Sequence, residues 1–208
     1  MHITEPRLNE YILNSLPERD QVLLEMEAYA RENHFPIIGP MCGTFLRQMA
    51  LLVDARDIFE MGSGFGYSAY WFAGGMRTGG KIVCSEGSEK NRDRAMEYLG
   101  RGGFEAMVDF RIGRAQDIIR QFDGPFDIIL NDIDKEQYLE AFDLAIPRLR
   151  RGGLFITDNV LRHGRILEPN PDEEARTILE FNKRLFASKD IFSSIIPIRD
   201  GLAIAVKL

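Results

Sequence analysis

Residues 57–71 read DIFEMGSGFGYSAYW. A short apolar run, Ile58 to Met61 broken only by Glu60, meets glycines at alternate positions, Gly62, Gly64 and Gly66. Beyond them the chain becomes aromatic and apolar again. A run this short, stopped by glycine, has the length of a buried strand. Glycine lets the backbone turn where a side chain would forbid it. The stretch is read as strand, tight turn, helix, and that unit sets the pattern for the chain beyond it.

Downstream the unit recurs. KIVCSE (81–86) is a second strand, and Ser88 caps a helix to Leu99 with Gly100 at its stop. MVDFRIG (107–113) is a third strand, followed by the short helix AQDIIRQF. FDIILND (126–132) is a fourth, and its helix carries Tyr138, Leu139, Phe142, Ile146 and Leu149 inward. GLFITDN (153–159) is a fifth. A loop, VLRHGRILEPNP, leads to a helix capped near Asp172, with Ala175, Ile178, Leu179, Asn182, Leu185 and Phe186 inward. SSIIPIRDGLAIAVKL closes the chain as an antiparallel hairpin around Asp200-Gly201. Alternating β and α units imply an α/β fold, a mostly parallel sheet with helices on both faces.

Upstream the reading is helical. LNEYILNSL places Leu8, Tyr11, Ile12 and Leu16 at helical spacing before Pro17. ERDQVLLEMEAYAREN is a second helix, FPIIGP (35–40) an extended link, and TFLRQMALLV a third helix with Phe45, Leu46, Met49, Leu52 and Val53 on one side. Residues 1–208 form one domain, a helical part over 1–55 and an α/β core over 56–208.

The bulk numbers agree with one ordinary globular domain: 208 residues, 45% hydrophobic and 28% charged. A net charge of -6 argues against nucleic acid as a partner, since phosphate binding needs a basic surface. Two cysteines without a Cys-x-x-Cys pair argue against a zinc or redox motif and suit a reducing cytoplasm. The N-terminal stretch lacks a signal peptide's apolar core, and no apolar run reaches membrane-spanning length. The expected location is cytoplasmic.

Ligands of such sheets bind beyond the C-terminal strand ends, so charged strand ends are the candidate site. The glycine turn differs from the dinucleotide fingerprint G-x-G-x-x-G because its third glycine comes one residue early. Glu60, two residues before Gly62, would repel a pyrophosphate but suits an ammonium group, such as the methionine part of S-adenosylmethionine. Ser68 adds a hydroxyl at the helix start. Glu86, at the second strand's end, can accept from ribose hydroxyls, in NAD or S-adenosylmethionine alike. Ala115 and Gln116, after the third strand, are placed to meet an adenine, while Arg114 faces solvent.

The fourth strand ends NDIDK (131–135) and the fifth TDN (157–159). Adjacent strands would gather Asp132, Asp158 and Asn159 into a hard-oxygen half-shell suited to Mg²⁺, Mn²⁺ or Ca²⁺. Asp134, with Gln137 three residues on, makes a capping-box pattern. Lys135 stands in a first helical turn, where the dipole disfavours a cation, and is the candidate general base. Its bland alternative is a solvated side chain paired with Asp132 or Asp134. His2, His34 and His163 fall in no recognisable nucleophile setting.

FDIILNDIDKEQY and GGLFITDNVLRHG, at their mutual spacing, and GTFLRQMALLVDARDIFEMGSGFGYSA resemble the cation-dependent O-methyltransferases, the family of catechol and caffeoyl-coenzyme A O-methyltransferases. The resemblance spans nearly the whole chain. It implies a Rossmann-like methyltransferase fold with a seven-stranded sheet, antiparallel in its last strand, and a homodimer. It implies Asp132, Asp158 and Asn159 as metal ligands, Lys135 as catalytic base, and Asp132 as catalytic and cofactor-contacting as well. It assigns Glu60, Gly62 and Ser68 to the methionine end of S-adenosylmethionine, Glu86 to the ribose, Ala115 and Gln116 to the adenine, and Ile38 to a backbone contact from the link. Two positions depart from the family: Pro36 where a methionine is common, and Arg162 where a tryptophan packs on aromatic substrates. Arg162 is thus a candidate substrate contact, for stacking or for a carboxylate or phosphate. An NAD-dependent oxidoreductase, or a non-catalytic binder of the same cofactor, are the competing expectations.

Overall fold

Strand β1 (Asp57–Met61) is buried in every residue after Asp57. A strand covered on both faces must be apolar nearly throughout, and past Asp57 only Glu60 departs from that. The computed structural model describes residues 4–208, so His2 lies outside the described residues.

Around β1 the sheet has the order β3-β2-β1-β4-β5-β7-β6, with β2 (Lys81–Glu86), β3 (Val108–Ile112), β4 (Phe126–Asn131), β5 (Leu149–Thr157), β6 (Ile191–Ile196) and β7 (Leu202–Lys207). Strands β1 to β5 pair in parallel. Strand β7 runs antiparallel to both β5 and β6, closing the hairpin read from the terminal sequence.

Side chains alternate across this sheet, and the two cores follow. Ile58, Ile128, Leu130 and Ile156 face one side, where α2 (Gln21–Glu32), α3 (Gly39–Leu52), α4 (Tyr67–Ala73) and α5 (Glu89–Arg101) pack. Phe59, Met61, Ile129 and Phe155 face the other, under α6 (Ala115–Ile119), α7 (Tyr138–Ala145) and α8 (Glu173–Ala187).

Several helices depart from their expected faces. The first, α1 (Pro6–Ser15), buries no residue, and Leu8, Tyr11 and Ile12 are exposed. Helix α3 starts at Gly39, inside the expected link, because Pro40 in its first turn lacks an N–H that would go unbonded anyway. Its inward stripe is Cys42, Leu46 and Ala50, leaving Leu52 exposed. Helix α5 runs past Gly100 to a cap at Gly102. In α8 the buried set is Ala175, Ile178, Phe181 and Leu185, so Leu179 and Phe186 fall on the outer side.

Candidate active site

Register brings the charged strand ends together. Met61 pairs with Asn131, and Asn131 with Thr157. The next residues, Gly62, Asp132 and Asp158, therefore stand level just past the sheet. The ladder extends one step into them: Asp132 N–H donates to the Met61 carbonyl at 2.9 Å, and Asp158 N–H to the Asn131 carbonyl at 3.1 Å. Strand order reverses between β1 and β4, the place where such sheets open a crevice. A cavity of about 600 Å³ occupies it.

The glycine turn shapes one wall. Gly62 has φ +81°, and a Cβ there would sit 2.3 Å from the Asp132 carbonyl oxygen. This glycine is required by the approach of two strand ends, besides any approach of a ligand.

The carboxylates are strongly perturbed. Asp158 is 2% exposed; Asp132 keeps some surface toward the cavity and is otherwise enclosed. Burial, then the charge of Asp158, pushes Asp132 up to about 7, against the pull of Lys135 and Arg199. Burial raises Asp158 too, opposed by Arg199 and by the Asn159 N–H, which donates to Asp158 Oδ1 at 2.8 Å. Two buried acids side by side resist joint ionisation unless a cation joins them. Among the described residues no group of three His, Cys, Asp or Glu side chains forms a metal cluster. The donor set instead is two carboxylates and the Asn159 amide oxygen, all hard oxygens, and it fits a divalent ion of the Mg²⁺ or Ca²⁺ type.

Lys135 reaches into this group. Its Nζ donates to Asn159 Oδ1 at 3.0 Å, to the Tyr138 hydroxyl at 2.7 Å and to the Ile133 carbonyl at 3.2 Å. The Tyr138 hydroxyl in turn donates to the Asp158 carbonyl at 2.7 Å. Lys135 lies in a 3-10 turn ahead of α7. The expected capping box does not form: the Asp134 side chain accepts no backbone N–H, and the Gln137 amide donates to the Asp134 carboxylate itself at 3.4 Å.

The other half of the cavity fits a nucleoside. Glu86 is fixed by the Gly64 N–H at 3.0 Å, the Ser88 N–H at 3.1 Å and Asn91 Nδ2 at 3.0 Å, and lines the wall. Ile38, Gly62, Ser68 and Ala115 line it too. Glu60 and Gln116 do not. Glu60 is fully buried beneath the wall, bonded by the Ser68 hydroxyl and by Cys84 Sγ at 3.3 Å, and burial raises its pKa. It meets the cavity through the serines that line it, Ser68 and Ser63. Gln116 sits behind Gln137, to whose Oε1 its Nε2 donates at 2.5 Å, and its own Oε1 is buried without a partner.

Arg162 departs most from its expected place. Its guanidinium pairs with Glu174 of α8, away from the cavity wall. Arg199, from the β6–β7 turn, lines the wall together with Lys135 and the exposed Arg114, and stands 3.7 Å from Asp158 Oδ2. Sequence reasoning passed over Arg199 and took Tyr138 for core only. The signal for Tyr138 was its position three residues after Lys135; for Arg199, its place beside the Asp200-Gly201 turn next to β5.

A family model described as O-methyltransferase matches residues 18–208. The chain belongs to the O-methyltransferase family. It is 33% identical to the catechol O-methyltransferase of Niastella koreensis, over 96% of each chain. It is 28% identical to the caffeoyl-CoA O-methyltransferase of Eucalyptus gunnii, over 97% of this chain and 87% of that one. The crystal structure of the Bacillus cereus O-methyltransferase in complex with SAH superposes with a TM-score of 0.88 at 29% identity, covering 97% of both chains. This methyltransferase therefore has the Rossmann-like fold of the S-adenosylmethionine-dependent O-methyltransferases and is an enzyme of that class. The nicotinamide alternative left open by the glycine turn falls away with that membership.

Proposed function

We propose that this enzyme methylates one hydroxyl of a vicinal diol on an aromatic ring, a catechol-like acceptor, with a divalent cation held by Asp132, Asp158 and Asn159. The observation that carries the reading is the convergence of those three oxygen donors with the Lys135 ammonium, 3.0 Å from Asn159 Oδ1, at the mouth of the nucleoside-sized cavity. The cation would supply Lewis-acid polarisation of a diol hydroxyl, and S-adenosylmethionine the electrophilic methyl group. The rest falls to the chain's own residues. Asp132 and Asp158 fix the diol end of the site between two strand tips. Lys135, steered by Tyr138, takes the hydroxyl proton in its neutral amine form, having first given its own proton to solvent. Glu86 and the glycine turn hold the nucleoside so that the acceptor oxygen meets the methyl in line, and alignment supplies much of the acceleration.

Methyl transfer to a panel of catechols and monophenols, with Mg²⁺, Mn²⁺ or Ca²⁺ and with chelator, tests this. Transfer is expected to vicinal diols only, and only with metal. Asp158→Ala should lose at least about 100-fold in turnover, the scale of a removed transition-state electrostatic contact, while still binding S-adenosylmethionine. Full activity of that variant in chelator would sink the cation assignment.

The exposed apolar side chains of α1 support a homodimer built on that helix; a monomeric mass in light scattering would remove it. The buried free thiols Cys42 and Cys84 support a reducing, cytoplasmic setting, and the described residues hold no helix long and apolar enough to cross a membrane.

A further inference from the structure

We infer that Arg199 selects acceptors bearing a carboxylate on the diol-carrying ring, so that the substrate class is a catecholic acid rather than a neutral catechol. This rests on the proposed diol chemistry.

Arg199 is held where it is at a cost. Its φ is +50°, a left-handed conformation that a side-chain-bearing residue rarely adopts. Observed backbone strain of this kind gathers at ligand sites. The turn that imposes it is rigid. Gly201 N–H donates to the Ile198 carbonyl at 2.8 Å, and Leu161 N–H and Val160 N–H donate to the Asp200 and Gly201 carbonyls at 2.9 and 3.1 Å. The hairpin tip is thereby tied to the segment just after Asn159, and the Arg199 side chain is delivered to the cavity past Gly39.

The charges of the site favour an anion beside it. Asp132 and Asp158 are faced by two cations, Lys135 and Arg199. A divalent ion on the two acids leaves those cations without their counter-charge. Lys135 keeps its bonds to the Tyr138 hydroxyl, Asn159 Oδ1 and the Ile133 carbonyl. Arg199 stays protonated, and its planar fork matches a carboxylate. Of the other acids near the cavity, Glu86 accepts from Gly64, Ser88 and Asn91, Asp134 from Gln137 at 3.4 Å, and Asp200 from the His163 N–H. Next to Arg199 the cavity adjoins a groove lined by Phe35, Pro36, Ile37, Pro40 and Arg31. That surface suits an aromatic ring with a negative edge. The groove's own acid, Glu27, is engaged by the Tyr67 hydroxyl at 2.8 Å and by Arg19 at 3.3 Å.

Calorimetry on the full chain loaded with Mg²⁺ and S-adenosylhomocysteine tests this, with catechol against 2,3- and 3,4-dihydroxybenzoate as ligands. The wild type should prefer at least one of the two acids by about 10-fold or more, the scale of a charge-assisted bidentate contact. Arg199→Gly and Arg199→Gln should bring the acid-to-catechol ratio close to one, and Arg199→Lys should keep part of it. Glycine accepts φ +50°, so Arg199→Gly should melt no lower than wild type, which keeps the comparison clear of misfolding. A wild type without preference, or a preference that survives Arg199→Gly, overturns the assignment of Arg199 and leaves the diol reading standing. If neither acid nor catechol binds and none is methylated with any metal, the diol reading itself fails and this inference falls with it.

Discussion

Tyr138 joins packing to chemistry. Its ring is fully buried, edge-on to Phe181 at 5.3 Å, while its hydroxyl bonds both the Asp158 carbonyl and Lys135. Tyr138→Phe keeps the ring and removes the bonds, leaving a buried carbonyl short of a donor. That costs about 1–3 kcal/mol, or about 2–4 °C of melting temperature per kcal/mol for a chain of this size. Because Tyr138 acts through Lys135, kcat should fall more than KM rises. A melt and a kinetic profile both matching wild type would remove the residue from the site. Glu60 gives a pH-dependent counterpart. Burial keeps its carboxyl protonated to higher pH in the fold than in the unfolded chain. As pH rises from the ordinary carboxylate range, the unfolded chain releases this proton first. Stability from this residue is therefore lost up to the folded-state pKa and is constantly lower above it. Each unit of elevation costs about 1.4 kcal/mol at the upper plateau. Glu60→Gln cannot ionise, so in cofactor-free protein its melting temperature should gain on wild type between pH 4 and pH 8. A difference that does not vary with pH would show that the carboxyl ionises in the fold as freely as out of it.

At the scale of elements, the glycine turn and the NDIDK turn are one construction. A methyl group on Gly62 would strike the Asp132 carbonyl at a φ that disfavours any side chain. Gly62→Ala must therefore push the β1 and β4 tips apart, disturbing glycine turn and acidic pair together. The expected cost exceeds about 1 kcal/mol, with cofactor and cation affinities falling in the same variant; calorimetry showing one lost and the other intact would separate the two halves of the site. The strands that carry these tips were legible in the sequence because doubly covered parallel strands are continuous apolar runs ending abruptly in glycine or acid. Helices were less so. Gly39-Pro40 looks like a link because glycine and proline usually break helices, yet at a first turn proline breaks nothing. The apolar residues of α1 repeat at helical spacing without a core to meet, and spacing alone cannot tell a buried stripe from an exposed one.

Across the whole molecule, what sequence could reach of the site was the set of residues at strand ends, since order along the chain and the parallel-sheet rule suffice to gather Asp132, Asp158, Asn159 and Lys135. What it could not reach depends on register and on side-chain direction over long separations. Arg199 meets Asp158 because β7 lies antiparallel beside β5, and Arg162 is drawn off by Glu174 of α8 although it stands three residues from Asn159. Glu60 and Gln116 are at the right strand ends but one layer too deep. The same long-range geometry makes the acidic pair a charge defect of the entire fold, because two buried carboxylates oppose folding whenever both ionise. A ligand that binds only the folded chain stabilises it by about 2.7 kcal/mol at 100 times its dissociation constant, which for this length raises the melting temperature by roughly 5–10 °C. Mg²⁺ or Mn²⁺ at such concentrations should produce that rise near pH 7.5, and chelator should reverse it. Protons compete for the same oxygens, and with Asp132 raised to about 7 the rise should shrink as pH falls below about 7. Asp158→Ala removes one ligand and one of the repelling charges together. Its metal-free form should thus melt no lower than wild type measured the same way, and it should gain nothing from added metal. A wild-type melt indifferent to divalent ions at every pH would leave Asp132 and Asp158 as a carboxyl pair sharing a proton, and would move the diol's activation to Lys135 and Arg199 alone.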